Sequence, residues 1–190
     1  LRPAILWNDT RCATECTEML AELPTLSELG GSLAMPGFTA PKLRWVARHE
    51  PEIFQRVAKV LLPKDHVRLM LTGEHVSELS DASGTLWLDV QRRDWSDDLL
   101  ALTGFTRSHM PRLVEGSEVS GTLRPEWARR WGLAAGVPVS HLRLVYVRAT
   151  LGGSGAEGSG VVQAHMVLAY YATPQAEPLV MTQLGAQPLQ

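Results

Sequence analysis

Pro3-Ala4-Ile5-Leu6-Trp7-Asn8-Asp9-Thr10-Arg11-Cys12-Ala13-Thr14-Glu15-Cys16-Thr17-Glu18-Met19-Leu20 changes its period partway along. The opening run to Trp7 predicts a turn leading into a strand. From Cys12 onward, Cys12, Cys16, Met19, Leu20 and Leu23 recur at three- and four-residue spacing. That spacing predicts an amphipathic helix over about 10–22, capped by Asp9 or Thr10 and stopped by Pro24. A strand feeding a helix puts the chain in the α/β class. Asn8, Asp9 and Arg11 fall between the two, at the rim where open α/β folds bind ligands.

The composition narrows what the chain can do. It has 190 residues, 18 Lys+Arg against 20 Asp+Glu, a net charge of −2 and 45% hydrophobic content, the profile of a globular protein of about one domain. Such a length buries enough surface to need no disulfide framework or structural metal. There is no basic footprint for nucleic acid and no apolar run approaching the roughly 20 residues of a membrane span. Leu1 stands first, without the n-region and cleavage site of a signal peptide, so the chain is expected to be cut into a fold and cytoplasmic. Arg143, Arg148, Glu157 and Glu177 are the only Asp, Glu, Lys or Arg residues after position 131, and no Trp follows it. That composition break predicts a C-terminal stretch unlike the rest.

Between these ends, Pro41 sits at a favourable first-turn position for a helix carrying Leu43, Trp45 and Val46. Pro51 restarts it over 52–59, 60–62 is a short strand or extended connection, and 64–71 is helical again. Residues 80–84 carry turn chemistry, 85–90 alternate as a strand, and Ser96 caps a helix at 97–100. A short helix over 126–131 ends at Gly132. Two β-like runs, 142–148 and 161–172, flank a Gly-rich stretch at 152–160.

Most candidate constellations dissolve into ordinary local chemistry. Cys12 and Cys16 lie one turn apart, but no further Cys or His follows at zinc spacing, so two small buried hydrophobes outweigh a metal site. The stretch 152–160 lacks the Lys-Ser/Thr that closes a phosphate loop, and a hairpin tip or linker outweighs a phosphate cradle. Asp81, Asp89, Asp94, Asp97 and Asp98 all sit where Asp caps or turns. The Asn8-Asp9-Arg11 loop is different. Its Asn amide and ionised Asp can exchange hydrogen bonds with sugar hydroxyls, with Arg11 gripping Asp9. A helix cap with a surface ion pair is the equally simple alternative.

Three blocks, residues 3–11, Met35-Pro36-Gly37-Phe38-Thr39-Ala40-Pro41-Lys42-Leu43 and Leu61-Leu62-Pro63-Lys64-Asp65, resemble the xylulokinases of the FGGY carbohydrate kinase family. Ser80 to Val90 with Asp94-Trp95-Ser96 extend the likeness, which runs to about residue 138. The resemblance implies an incomplete actin-like, ribonuclease-H-like N-terminal domain over 1–138, with an unmatched β-rich tail over 139–190. It implies transfer of the ATP γ-phosphoryl group to a D-xylulose-like sugar with Mg2+. It carries Asn8, Asp9 and Arg11, and with them Phe38, Thr39 and Lys42, onto the sugar side of the cleft. No nucleic acid or membrane partner is expected, and a homo-oligomer is left open.

In the family a phosphate-contacting Asp-x-Gly-Thr hairpin and a Met-His-Gly segment precede the Trp-Asn-Asp-x-Arg loop, and the catalytic base is an Asp in a Gly-Gly-Asp-Asn-like segment. Here Val137-Pro138-Val139 runs into Ser140-His141-Leu142, with no Asp after Asp98. A shifted reading frame or a fused end near Gly136–Ser140 is therefore expected. The chain alone is expected to carry no catalytic residue or metal site, to bind no ATP and to give no turnover. The alternatives are a non-catalytic kinase-derived remnant or interaction module, or a family kinase for another substrate such as glycerol or gluconate.

Overall fold

The computed structural model describes residue 3, residues 5–140 and the backbone of residues 143–151, 162–170 and 179–180. Along the chain run helices α1 (Ala13–Glu22), α2 (Leu26–Gly30), α3 (Thr39–His49), α4 (Pro51–Phe54) and α5 (Pro63–Thr72), then strand β1 (Val76–Glu78) and helix α6 (Leu79–Ser83). Strands β2 (Leu88–Asp89) and β3 (Asp94–Trp95), helix α7 (Asp97–Ala101), a 3-10 turn at Arg107–His109, and strands β4 (Arg112–Val114) and β5 (Gly121–Thr122) follow. The described elements end with helix α8 (Pro125–Trp131) and strands β6 (Pro138–Val139), β7 (Arg143–Leu151), β8 (Val162–Tyr170) and β9 (Leu179–Val180). The fold is mixed α/β and divides into two compact units, Leu1–Leu62 with His75–Gly116, and Pro63–Glu74 with Ser117–Gln190.

In the first unit β1 and β4 pair in parallel, with Val76 opposite Arg112 and Glu78 opposite Val114, while β2 and β3 form an antiparallel hairpin. Its core gathers Met19, Leu26, Trp87, Leu99, Leu100 and Phe105. Trp87 is fully buried, edge-on to Phe105 at 5.6 Å, and donates its indole N–H to Thr103 Oγ1 at 3.0 Å. That bond satisfies a donor whose burial would otherwise be costly. Helix α3 begins behind an extended Phe38 and ends at His49, with Glu50 as its C-cap before Pro51. As Ser96 predicts, its hydroxyl accepts the Leu99 N–H and caps α7.

Several local expectations give way. No strand forms through Ile5–Trp7: the Asp9 N–H closes a turn on Leu6 O at 3.1 Å, and these residues have no strand to pair with among the described residues. Helix α1 starts at Ala13, after Cys12, whose side chain makes no capping bond. Asp9 does not cap it, because its carboxylate is taken by Arg11. The strand expected over 85–90 contracts to Leu88–Asp89, since Leu86 adopts a left-handed φ of 65°. Residues 80–83 wind into α6 because the Glu78 carboxylate accepts the N–H groups of Ser80 and Asp81, each at 2.8 Å. Residues 60–62 are an extended connection, with the Val60 N–H on His109 O at 2.9 Å.

In the second unit β5 and β6 pair antiparallel, and α8 ends at Gly132 in the left-handed region, as the sequence predicts. The Arg124 N–H reaches Leu71 O at 2.9 Å, and the Trp127 indole N–H reaches Met70 O at 3.0 Å, fastening α8 to α5. Asp65 Oδ1 takes Lys64 at 2.8 Å and Arg68 at 2.7 Å, all three buried. Strand β7 pairs antiparallel with β8, and β8 with β9. The Gly-rich stretch 152–160 lies outside the described residues. Among the described residues no helix is long and apolar enough to cross a membrane.

Candidate functional site

Two loops meet at the first turns of α3. Residues 6–12 bring Asn8, Asp9 and Arg11, and the turn at Met35–Phe38, closed by the Phe38 N–H on Met35 O at 3.0 Å, leads into the helix. A side chain at Gly37 would come within 3.3 Å of Trp7 O, so glycine permits the two backbones to approach. Lys42, only 7% exposed, joins them. Its ammonium donates to Asp9 O at 3.3 Å and to Pro36 O, which also receives the Cys12 thiol at 3.4 Å.

Arg11 grips Asp9 along its whole carboxylate: Nε lies 2.9 Å from Oδ2 and 3.0 Å from Oδ1, Nη2 lies 2.7 Å from Oδ2, and the Arg11 backbone N–H reaches Oδ1 at 3.0 Å. These bonds hold the Asp9 carboxyl down at about 2, the Arg11 side chain being the main cause. Arg11 is correspondingly held charged. Its guanidinium lies 4.9 Å from the centre of the Trp45 ring, on which His49 also stacks at 4.5 Å. Behind the loops α1 is tied to α3 by ion pairs: Arg44 meets Glu22 at 2.8 Å, and Arg48 meets Glu15 at 2.9 Å and also Glu18.

The structure thus brings together Asp9, Arg11 and Lys42, with Asn8 exposed beside them. Thr39 is half-buried at the first position of α3, and Phe38 packs against the core, a supporting place rather than an open one. Sequence reasoning passed over Trp45, taken as an ordinary apolar helix position. The available signal was its place three residues after Lys42 and four before His49, one helix face.

The chemistry this cluster offers is orientation. With both oxygens engaged by Arg11 and its pKa lowered by that contact, the Asp9 carboxylate is suited to accepting hydrogen bonds rather than to taking a proton. Burial pushes the Cys12 thiol up and the Cys16 thiol up to about 11, leaving both protonated and inert. Among the described residues no three His, Cys, Asp or Glu side chains converge on a metal-sized site. A separate cleft of about 460 Å³ is lined by Glu78, Ser80, Ser83, Arg93 and Glu115 among others. Its polar groups bind one another: the Ser80 hydroxyl donates to Glu78 at 2.7 Å, Ser83 to Ser80 O at 2.6 Å, and Arg93 pairs with Glu115.

Known proteins share this chain's pattern. The N-terminal domain pattern of the FGGY family of carbohydrate kinases matches residues 1–152. The chain is 54% identical over 172 residues to the xylulose kinase of Escherichia coli (strain K12), covering 88% of this chain and 33% of that protein. It is 58% identical over 133 residues to the xylulose kinase of Klebsiella pneumoniae, covering 70% of this chain and 28% of that one. A crystal structure of a xyloylose kinase from Brucella ovis superposes with a TM-score of 0.70 at 55% identity, covering 73% of this chain and 28% of that one. The chain therefore spans about a third or less of these relatives' length.

Proposed function

The chain belongs to the FGGY family of carbohydrate kinases, and on that premise we propose that it is the sugar-holding part of a kinase that converts D-xylulose to D-xylulose 5-phosphate. The observation that carries this is the Asp9 clamp. An ionised carboxylate gripped by Arg11, with its own carbonyl held by Lys42, presents fixed acceptors to a polyol beside the exposed Asn8 amide. Asn8, Asp9 and Arg11 orient the sugar, while Phe38, Thr39 and Lys42 support that loop. Holding the acceptor in a near-attack geometry is the main protein contribution to phosphoryl transfer.

In the whole kinase the sugar's terminal hydroxyl oxygen attacks the ATP γ-phosphorus, ADP leaves, and a carboxylate takes the hydroxyl proton. That role belongs to a carboxylate outside this segment, because both Asp9 oxygens are occupied by Arg11. ATP and Mg2+ belong to the whole kinase. The described side chains offer no cluster of the kind that holds a metal, so no step is assigned to magnesium on this segment. The reading carries with it an actin-like, ribonuclease-H-like N-terminal domain over residues 1–138, a distinct tail over 139–190, and the cytoplasm, where both substrates are made. The loss of charged residues after position 131 supports the division. Sequencing the coding DNA across Gly136–Ser140 tests it, a restored Gly-Gly-Asp-Asn segment in a shifted frame being the expected result.

For the site, Asp9→Ala in the complete kinase should raise the KM for D-xylulose or lower kcat, leaving the KM for ATP unchanged. Unchanged sugar kinetics would refute the assignment. A preference for glycerol or gluconate over D-xylulose would replace the substrate.

A further inference from the structure

The two-pronged bond between Asp9 and Arg11 spans only two residues, so it fixes the carboxylate against Arg11 but not against the fold. Something else must hold this pair in place, because residues 6–11 belong to no helix or strand. The buried Cys12, whose thiol donates to Pro36 O at 3.4 Å, anchors the end of the loop, and two further contacts come from α3. Lys42 holds the main chain through Asp9 O at 3.3 Å. Trp45, three residues on and therefore on the same helix face, holds the side chains through Arg11, whose guanidinium carbon lies 4.9 Å from the ring centre. The ring itself is steadied by His49, stacked on it at 4.5 Å with a 25° interplanar angle, and α3 is steadied by its ion pairs to α1.

We propose that Trp45 is a positioning residue for Asp9: its indole holds Arg11, and through Arg11 it sets the orientation in which the Asp9 carboxylate meets the sugar. The part concerning sugar rests on the function proposed above; the part concerning Asp9 does not. A flat aromatic face suits this task because it attracts a guanidinium without competing for the N–H groups that Asp9 needs.

The test uses the full chain labelled with 15N and 13C, comparing the parent with Trp45→Leu, Trp45→Phe, Arg11→Ala and the Arg11→Ala/Trp45→Leu double variant. In the parent, the Arg11 δ-protons should show an upfield ring-current shift and the Asp9 carboxyl should titrate near 2. In Trp45→Leu the ring-current shift should vanish and in Trp45→Phe it should largely return, while the Asp9 midpoint stays low in both because its bonds to Arg11 span only two residues. D-xylulose should bind Trp45→Leu about two- to fivefold more weakly, the range expected for an exposed cation–π contact. In the Arg11→Ala background the Leu substitution should add nothing, whereas a merely structural tryptophan would weaken binding in either background.

An unshifted Arg11 in the parent chain overturns the proposal without any variant having to fold. So does a ring-current shift that persists in folded Trp45→Leu, or an equal loss of affinity with Arg11 absent. If Asp9→Ala leaves D-xylulose binding unaltered, the function proposed above fails, and the Arg11 ring-current shift in the parent and Trp45→Leu still decides whether Trp45 holds the pair.

Discussion

Replacing Lys42 with Met should separate the two loops that form the candidate site, and the structure allows the cost to be estimated. The ammonium is 7% exposed and donates to Asp9 O at 3.3 Å and to Pro36 O. Hydrogen bonds from a charged donor contribute about 1.5–3 kcal/mol each, and the longer one belongs at the low end, giving about 3–5 kcal/mol together. Those values already include the cost of desolvation, and Met keeps the apolar stem. The loss should be about 3 kcal/mol. Urea unfolding followed by tryptophan fluorescence measures it, and amide exchange at Arg11, Cys12 and Phe38 locates it. The Asp9 carboxyl should stay near 2 in the variant, because Arg11 dominates it and the Lys42 charge is the smallest cause. A stability loss under about 0.5 kcal/mol, with exchange unchanged across both loops, would show that Lys42 does not join them.

Acid should loosen α1 from α3. Glu18 and Glu22 are held below their ordinary 4.5 by Arg48 and Arg44, so their contribution is complete above that value and disappears as pH falls through the lower folded values. Unfolding free energy should fall as pH drops below about 4.5, and Arg44→Met should flatten the Glu22 part; a flat profile in the parent would contradict this. Two glycines with similar backbones should respond unequally to Ala. Gly104 has φ of +74° and only ordinary contact with Phe54 at 3.8 Å, so its variant should lose about 1 kcal/mol from backbone strain alone. Gly31 has φ of +67° and a Val90 methyl 3.0 Å from the new Cβ, so its variant should lose about 1 kcal/mol more; equal losses by urea titration would remove the Val90 contact from the account.

The amino-acid order alone determined the features that depend on near neighbours. Helix α3 with Pro41 in its first turn, α5 ahead of Gly73, α7 under Ser96 and α8 closed by Gly132 follow from caps, breakers and three- and four-residue spacing. The ordered blocks around Asn8-Asp9-Thr10-Arg11 and Met35-Pro36-Gly37-Phe38 were likewise legible as family signatures, because they need no partner to be recognised. What the tertiary structure decided depends on distant partners. The run through Trp7 has strand composition but no ladder, and a strand exists only by pairing. Val76–Glu78, with a charged residue in a three-residue run, became a strand because Arg112–Val114 lies alongside it. In the site, the sequence named Asp9, Arg11 and Lys42, but the bond from Lys42 to a carbonyl 33 residues away and the seating of Arg11 on Trp45 arise only when α3 packs beside the loop. Local periodicity encodes which face of a helix is apolar; it does not encode which distant backbone carbonyl or guanidinium that face will meet.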